Sequence, residues 1–318
     1  MASAGNNQLF ALRQPPPAEL TLARATYRLV KVFKHDFYAA TCLYESSGAR
    51  EPATLPLPLQ GEVGPKAREG ASPEPSPGPS GRPLPEGEES IVRPRDCPRV
   101  VVKFYRQQDF CGLPAAWIGR FSRDHERAIY RALAGVSGVP RYVGDVGATG
   151  LAIEYVDARP ADHLDALPPG WFDSLRAVLD QVHARGVAYV DANKLSNLLV
   201  AGDGQPWLID FQIALRRRDD WPWPLRPLAA RVVAAMQQKD LYHLYKHKRR
   251  LARHELRAEE EELSHPRGPL HRLHRWLTKP YRALRRRFLR EQYQAGRLVS
   301  PTAELENHHQ PEKETWRK

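Results

Sequence analysis

The apolar positions of this chain fall into short blocks separated by polar breaks, and the spacing within each block names an element. Residues 26–44, TYRLVKVFKHDFYAATCLY, are rich in β-branched and aromatic side chains and break at Lys34-His35-Asp36. That pattern predicts two antiparallel strands joined by a short turn. RVVVKFYR, residues 99–106, predicts a further strand. In RFSRDHERAIYRALAGV, Glu126, Ile129 and Leu133 recur at i, i+3, i+7 ahead of Gly135, which predicts a helix with one inward face. GVPRYVGDVGATGLAIEYV reads as two strands around a Gly-rich turn. In WFDSLRAVLDQVHARG, residues Phe172, Leu175, Leu179 and Val182 share a helical face, and Gly186 is placed to end the helix. Asn197-Leu-Leu-Val200, the turn Ala201-Gly-Asp-Gly204 and Pro206-Trp-Leu-Ile-Asp210 then predict a hairpin.

Composition changes the picture in one place above all. Of 318 residues, 29 are proline, and many of these crowd into residues 46–95 with Gly, Ser and Glu. Such a segment buries too little apolar surface to offset its ordering entropy, so it is expected to be a disordered insertion. Residues 1–25 are expected to be an N-terminal extension and 301–318 a disordered tail. The net charge of +11 asks for an anionic partner without choosing one. Cys42, Cys97 and Cys111 are widely spaced and form no CxxC pair, which suits a reducing compartment. The first twenty residues lack a secretory pattern, and no run approaches a membrane span, so a cytoplasmic location is expected.

The candidate chemistry sits at one end of the 197–210 hairpin. Asp191 and Asn197 lie at or before its first strand and Asp210 ends the second. Asp and Asn are common turn residues. They are also the oxygen donors a hard cation such as Mg²⁺ takes, with a separate carboxylate left to orient or deprotonate a hydroxyl.

The order of strand with Lys103, helix with Glu126, two linked strands, helix, Asp191, Asn197 and Asp210 resembles the protein kinase-like superfamily. The likeness covers residues 26–215. It implies a two-lobed α+β fold, with a small β-rich N-lobe over 26–155 carrying one key helix and a mainly helical C-lobe over 156–300. It further implies that Lys103 of VVVK holds the α and β phosphates of ATP and pairs with Glu126. Asp191 would then be the catalytic-loop aspartate, and Asn197 and Asp210 the Mg²⁺ ligands. Residues Glu154 to Val156 would form the hinge whose backbone contacts adenine. On the same resemblance, Lys194 would take the place of the loop lysine near the γ-phosphate.

The departures are specific. FKHDFYAA stands where the family has a Gly-rich loop, and H-R-D becomes Tyr189-Val190-Asp191. The Asp191 to Asn197 gap is one residue longer than usual, and D-F-G becomes Asp210-Phe211-Gln212 with no A-P-E after it. The pattern looks more like the atypical bacterial branch, which includes lipopolysaccharide core sugar kinases and small serine/threonine kinase-like proteins. The implied acceptor is a hydroxyl of a protein or of a membrane-linked glycan; the alternative is a pseudokinase serving as a nucleotide- or partner-binding module.

Beyond the site come Arg216-Arg217-Arg218 and a Lys/Arg-rich helical region over 228–297. The arginines read either as a solvated run or as facing an anionic acceptor. In PYRALRRRFLREQY, Tyr281, Leu284 and Phe288 lie opposite four arginines, a pattern that either packs on the C-lobe or rests peripherally on the anionic inner face of a membrane. The pairs His243/His247 and His271/His274 have helical ligand spacing, but their basic neighbours repel a cation and argue against zinc. Nucleic-acid binding has only charge behind it.

Overall fold

The computed structural model describes residues 11–47, 97–109 and 113–265, apart from 219, 221 and 224. Cys111, most of the 46–95 segment, His271, His274, the basic stretch around Tyr281 to Phe288 and residues 301–318 lie outside the described residues.

Six antiparallel strands form one sheet in the order β1-β2-β3-β4-β6-β5. They are β1 (Glu19–Leu22), β2 (Ala25–His35), β3 (Ala39–Ser46), β4 (Arg99–Tyr105), β5 (Tyr142–Val146) and β6 (Gly150–Glu154). The period of two sorts their side chains. Ala40, Cys42, Tyr44, Val100, Val102 and Phe104 pack with Leu20, Leu22 and Tyr27 in one apolar layer. Val101, Lys103 and Tyr105 face the other way, toward helix α1 (Ala116–Ala132) and the second lobe. The sheet starts earlier than expected, because Leu20 and Leu22 alternate inward in a strand too short to give a sequence signal.

The predicted β2–β3 turn, β4 and β5–β6 pair are present, and the hairpin predicted over 197–210 forms over 198–208. Helix α1 begins four residues before the predicted Arg120. Gly119 hid that start, being a poor helix former. It is needed because a Cβ there would lie 2.0 Å from the Arg106 carbonyl oxygen. The helix therefore docks directly on the end of β4.

After β6, residues 155–157 lead to β7 (Ala158–Pro160) and the second lobe. Helix α2 (Trp171–Ala184) ends ahead of Gly186, which adopts φ +70°. Short strands β8 (Val187–Ala188), β9 (Leu198–Ala201), β10 (Pro206–Leu208) and β11 (Leu215–Arg216) follow, with β9 between β10 and β7 and β8 beside β11. β10 stops at Leu208, so Asp210 lies beyond the strand end rather than on it. The expected basic helical region begins as α3 (Leu225–Leu251) and α4 (Ala258–Leu263).

These helices are joined by a buried charge. Lys248, fully buried on α3, reaches Asp173 of α2 at 2.7 Å and Glu260 of α4 at 2.8 Å. Removing one member of a buried pair strands the rest. Lys248→Ala should lower the unfolding free energy by about 3 kcal/mol in denaturant titration. Arg257→Ala, whose exposed guanidinium also reaches Asp173, should cost less than about 1 kcal/mol.

Candidate functional site

Two charged clusters meet between the lobes. The first is built on Glu126, which has no solvent exposure. Its Oε1 accepts Lys103 Nζ at 2.7 Å and the Phe211 backbone N–H at 3.2 Å, and its Oε2 accepts the Tyr105 hydroxyl. Lys103 Nζ also donates to Asp210 Oδ1 at 2.8 Å. Burial opposes a charge on Lys103, but Asp210 and Glu126 outweigh it and raise its pKa. Burial likewise opposes ionisation of Asp210; the Lys103 ammonium, with Lys194 and Lys34 beyond it, holds the carboxyl below its ordinary value.

The second cluster is Asp191 with Lys194 and Asn197. A 3₁₀ turn at Leu195–Asn197 returns the Asn197 side chain to Asp191. Asp191 Oδ2 accepts Asn197 Nδ2 at 2.7 Å and Lys194 Nζ at 2.6 Å. Burial raises the Asp191 pKa, with the two donors opposing and the Asp210 charge adding to the rise.

Backbone strain brackets these carboxylates. Val190 has φ +70° and Asp210 φ +63°. For a β-branched residue that conformation is an outlier, persisting only where the surroundings impose it. Helix α3 imposes it. Asp240, fully buried, accepts the backbone N–H of Tyr189 at 2.8 Å and of Val190 at 2.7 Å. Gln237 donates to the Val187 carbonyl at 3.0 Å, and Lys246 to Asn193 Oδ1 at 3.0 Å. His247 hydrogen-bonds the backbone of Ala192 and Asn193. In the sequence His247 stands out only for its metal-ligand spacing with His243, and Gln237 and Asp240 do not stand out by periodicity or motif. The available signal was an aspartate set alone in the basic run Lys239 to Arg250.

Tyr189 ties both sides of the site. Its hydroxyl donates to the carbonyls of Ile209 (2.5 Å) and Asn197 (3.3 Å). Its ring packs edge-on against Phe211 at 5.0 Å, and Phe211 meets Tyr130 of α1 at 5.3 Å. The Asp210-Phe211-Gln212 turn closes through Ala214 N–H on the Phe211 carbonyl (3.1 Å). His125 of α1 holds the Ala214 carbonyl at 2.9 Å.

Six of the eight candidate residues are thus brought together. Glu154 ends β6, with its carboxylate held by Arg141 (3.0 Å) and its backbone N–H given to the Arg141 carbonyl (2.9 Å). Val156 lies half-buried in the 155–157 link. The arginine triplet is partly occupied by structural contacts, since Arg216 reaches the Ala128 carbonyl and Arg218 pairs with Asp220. Cys42 and Cys97 are buried, and burial pushes the Cys42 thiol up to about 12.

A curled antiparallel lobe with one helix carrying the lysine's partner, joined to a mainly helical lobe carrying the carboxylates, is the two-lobed kinase-like α+β fold. No family model matches the chain, and no curated protein matches it significantly. Among solved structures it is similar to the Rio2 kinase of Chaetomium thermophilum, in a complex with ADP, Mg²⁺ and phosphoaspartate. There the identity is 18% and the TM-score 0.38, over 54% of this chain and 52% of that one. Another crystal structure of the same kinase gives 17% identity and a TM-score of 0.36 over 54% and 53%. The chain spans about half the length of these kinases. Among the described residues, no helix is long and apolar enough to cross a membrane.

The brace on the 187–193 loop has a pH signature. Burial depresses the His247 pKa to about 4 from its ordinary 6.5. The unfolded chain therefore takes up this proton before the folded one. The contribution is complete above pH 6.5 and is lost as the pH falls toward 4, on the order of 3 kcal/mol. Denaturant titrations at pH 7 and pH 4.5 should show a smaller loss of stability in His247→Gln than in the natural protein.

Proposed function

We propose that the protein is an ATP- and Mg²⁺-dependent phosphotransferase that moves the γ-phosphate of ATP to a hydroxyl acceptor. The observation that carries this reading is the pairing of Lys103 with both Glu126 and Asp210, opposite an Asp191 already hydrogen-bonded to Asn197 and Lys194. Phosphoryl transfer asks mainly for positioning and for stabilisation of negative charge, which these groups supply.

The donor set fits a hard cation. Asp210 gives Oδ1 to Lys103 and has a second carboxylate oxygen, and Asn197 uses its Nδ2 on Asp191, which leaves its amide oxygen as a donor. Asn197 and Asp210 would hold Mg²⁺, which would neutralise phosphate charge. Lys103, held protonated, would bind the α and β phosphates while Glu126 fixes its position. Lys194 would meet the γ-phosphate. Asp191, more basic than an ordinary aspartate, would orient the acceptor O–H and accept its proton. The link from Glu154 to Val156 would border the adenine.

The acceptor hydroxyl would belong to a protein serine or threonine or to a sugar of the lipopolysaccharide type, both chemistries being found in the atypical bacterial branch that the sequence resembles. Peripheral attachment to an anionic inner membrane face would serve the second.

Calorimetry should detect ATP binding that strengthens with Mg²⁺, and absence of binding in both conditions would leave a kinase-shaped interaction module instead. Asp210→Ala should abolish Mg²⁺-dependent turnover; undiminished turnover would remove the assignment. Asp191→Asn should lower kcat by about 10²-fold or more. Because Asp191 must be ionised to act and its pKa is raised, kcat/KM should fall on acidification at a pH above that of an ordinary aspartate.

A further inference from the structure

The turn between β2 and β3 stands where a Gly-rich loop would donate backbone amides to phosphates, and the amides of Tyr38 and Ala39 in it are already committed. Asp36 Oδ1 accepts the N–H groups of Tyr38 (2.8 Å) and Ala39 (3.0 Å). Arg106 fastens the tip from the other side. Its guanidinium donates to the Phe37 carbonyl at 2.9 Å and lies 3.9 Å from the centre of the Phe37 ring. The Arg106 backbone N–H donates to the Tyr38 carbonyl at 3.0 Å. A tip held this way keeps the Tyr38 and Ala39 amides occupied, so phosphate charge is better met there by a side chain.

The register of β2 supplies one. Val32 pairs with Cys42, but the next pair is Lys34 with Thr41, so Phe33 is an extra residue in a bulge. Without it, strict alternation would set Phe33 opposite Thr41 and Lys34 opposite Ala40, in the apolar layer. With it, Lys34 is opposite Thr41, and Thr41 is opposite Lys103. Residues directly opposite in an antiparallel sheet share a face, so Lys34, Thr41 and Lys103 form one row looking at the second lobe. Bulges near active sites re-aim side chains in this way.

Resting on the phosphotransferase reading, we propose that Lys34 is a nucleotide-binding residue that contacts the outer phosphates of a nucleoside triphosphate, doing with an ammonium what a Gly-rich loop does with amides. The side chain is half-exposed and rests on Asp36 Oδ2 at 2.7 Å. Pairs of that exposure are worth little, so exchanging the carboxylate for a phosphate oxygen costs little. Its positive charge already acts on the Asp210 carboxylate, alongside those of Lys103 and Lys194. Three lysines from three segments thus surround the place the outer phosphates would take.

The test is the affinity of adenosine, AMP, ADP and ATP with Mg²⁺ for the natural protein, Lys34→Gln, Lys34→Arg and the exposed control Lys239→Gln. Lys34→Gln should weaken ATP about ten-fold, ADP less, and adenosine not at all. Lys34→Arg should retain most of the ATP affinity and Lys239→Gln all of it. Undiminished ATP binding by Lys34→Gln, or an equal loss for adenosine and ATP, would overturn the role of Lys34 while leaving the phosphotransferase reading intact. A natural protein that binds none of the four would overturn both.

Discussion

The buried carboxylate of Glu126 is the constraint on which the rest of this structure turns. An ionised group without solvent contact is costly unless hydrogen bonds and counter-charge surround it. Here the donors come from three places: the side chains of Lys103 and Tyr105 on β4, and the backbone of Phe211 beyond β10. Satisfying one charge therefore fixes the position of α1 against the sheet and of the Asp210 turn against α1. The close approach at Gly119 and the Tyr189–Phe211–Tyr130 ring series act along the same seam. The seam between the lobes is thus held by polar groups where a purely apolar contact would leave the register of Asp210 loose.

Helix α3 performs the complementary task for the other carboxylate. Its inward face presents Gln237, Asp240, Lys246 and His247 to the loop that carries Asp191. Three of these four bond the loop's backbone and Lys246 bonds a side chain, while Leu241, Leu244 and Tyr245 of the same helix pack in the apolar core. The unfavourable φ of Val190 is stabilised by a charge-assisted bond from its own N–H to Asp240. Asp191 is thereby aimed by a helix remote in sequence, and its elevated basicity follows from the burial this aiming requires.

Much of this was legible from the sequence, and the exceptions have physical causes. Strands β2 to β6, helix α2 and the β9–β10 hairpin announce themselves by period and by Gly punctuation. The residues from Lys103 to Asp210 stand out through their order on those elements. Asp240, Gln237 and His247 did not, because they are polar residues set among the buried Leu241, Leu244 and Tyr245 of α3, and apolar periodicity does not mark a side chain that is buried to bond a loop's backbone. The start of α1 was hidden by a glycine selected for close packing over propensity. The direction of Lys34 depends on a one-residue bulge, and alternation alone assigns it to the opposite face.

The junction at the far end of β3 carries a separate implication. The Ser46 N–H donates to the Pro98 carbonyl at 2.8 Å, and the Tyr27 hydroxyl holds the Cys97 carbonyl at 2.9 Å. The chain leaves the sheet and re-enters it at neighbouring points of an intact β3–β4 ladder, so the two ends of any connecting loop are already held together. Closing such a loop costs only about 0.6 kcal/mol more for each doubling of its length. That end of the β3–β4 ladder thus works as a graft point, where added length is tolerated while Lys103, the fifth residue of β4, is held in register by Thr41 on one side and Leu151 on the other.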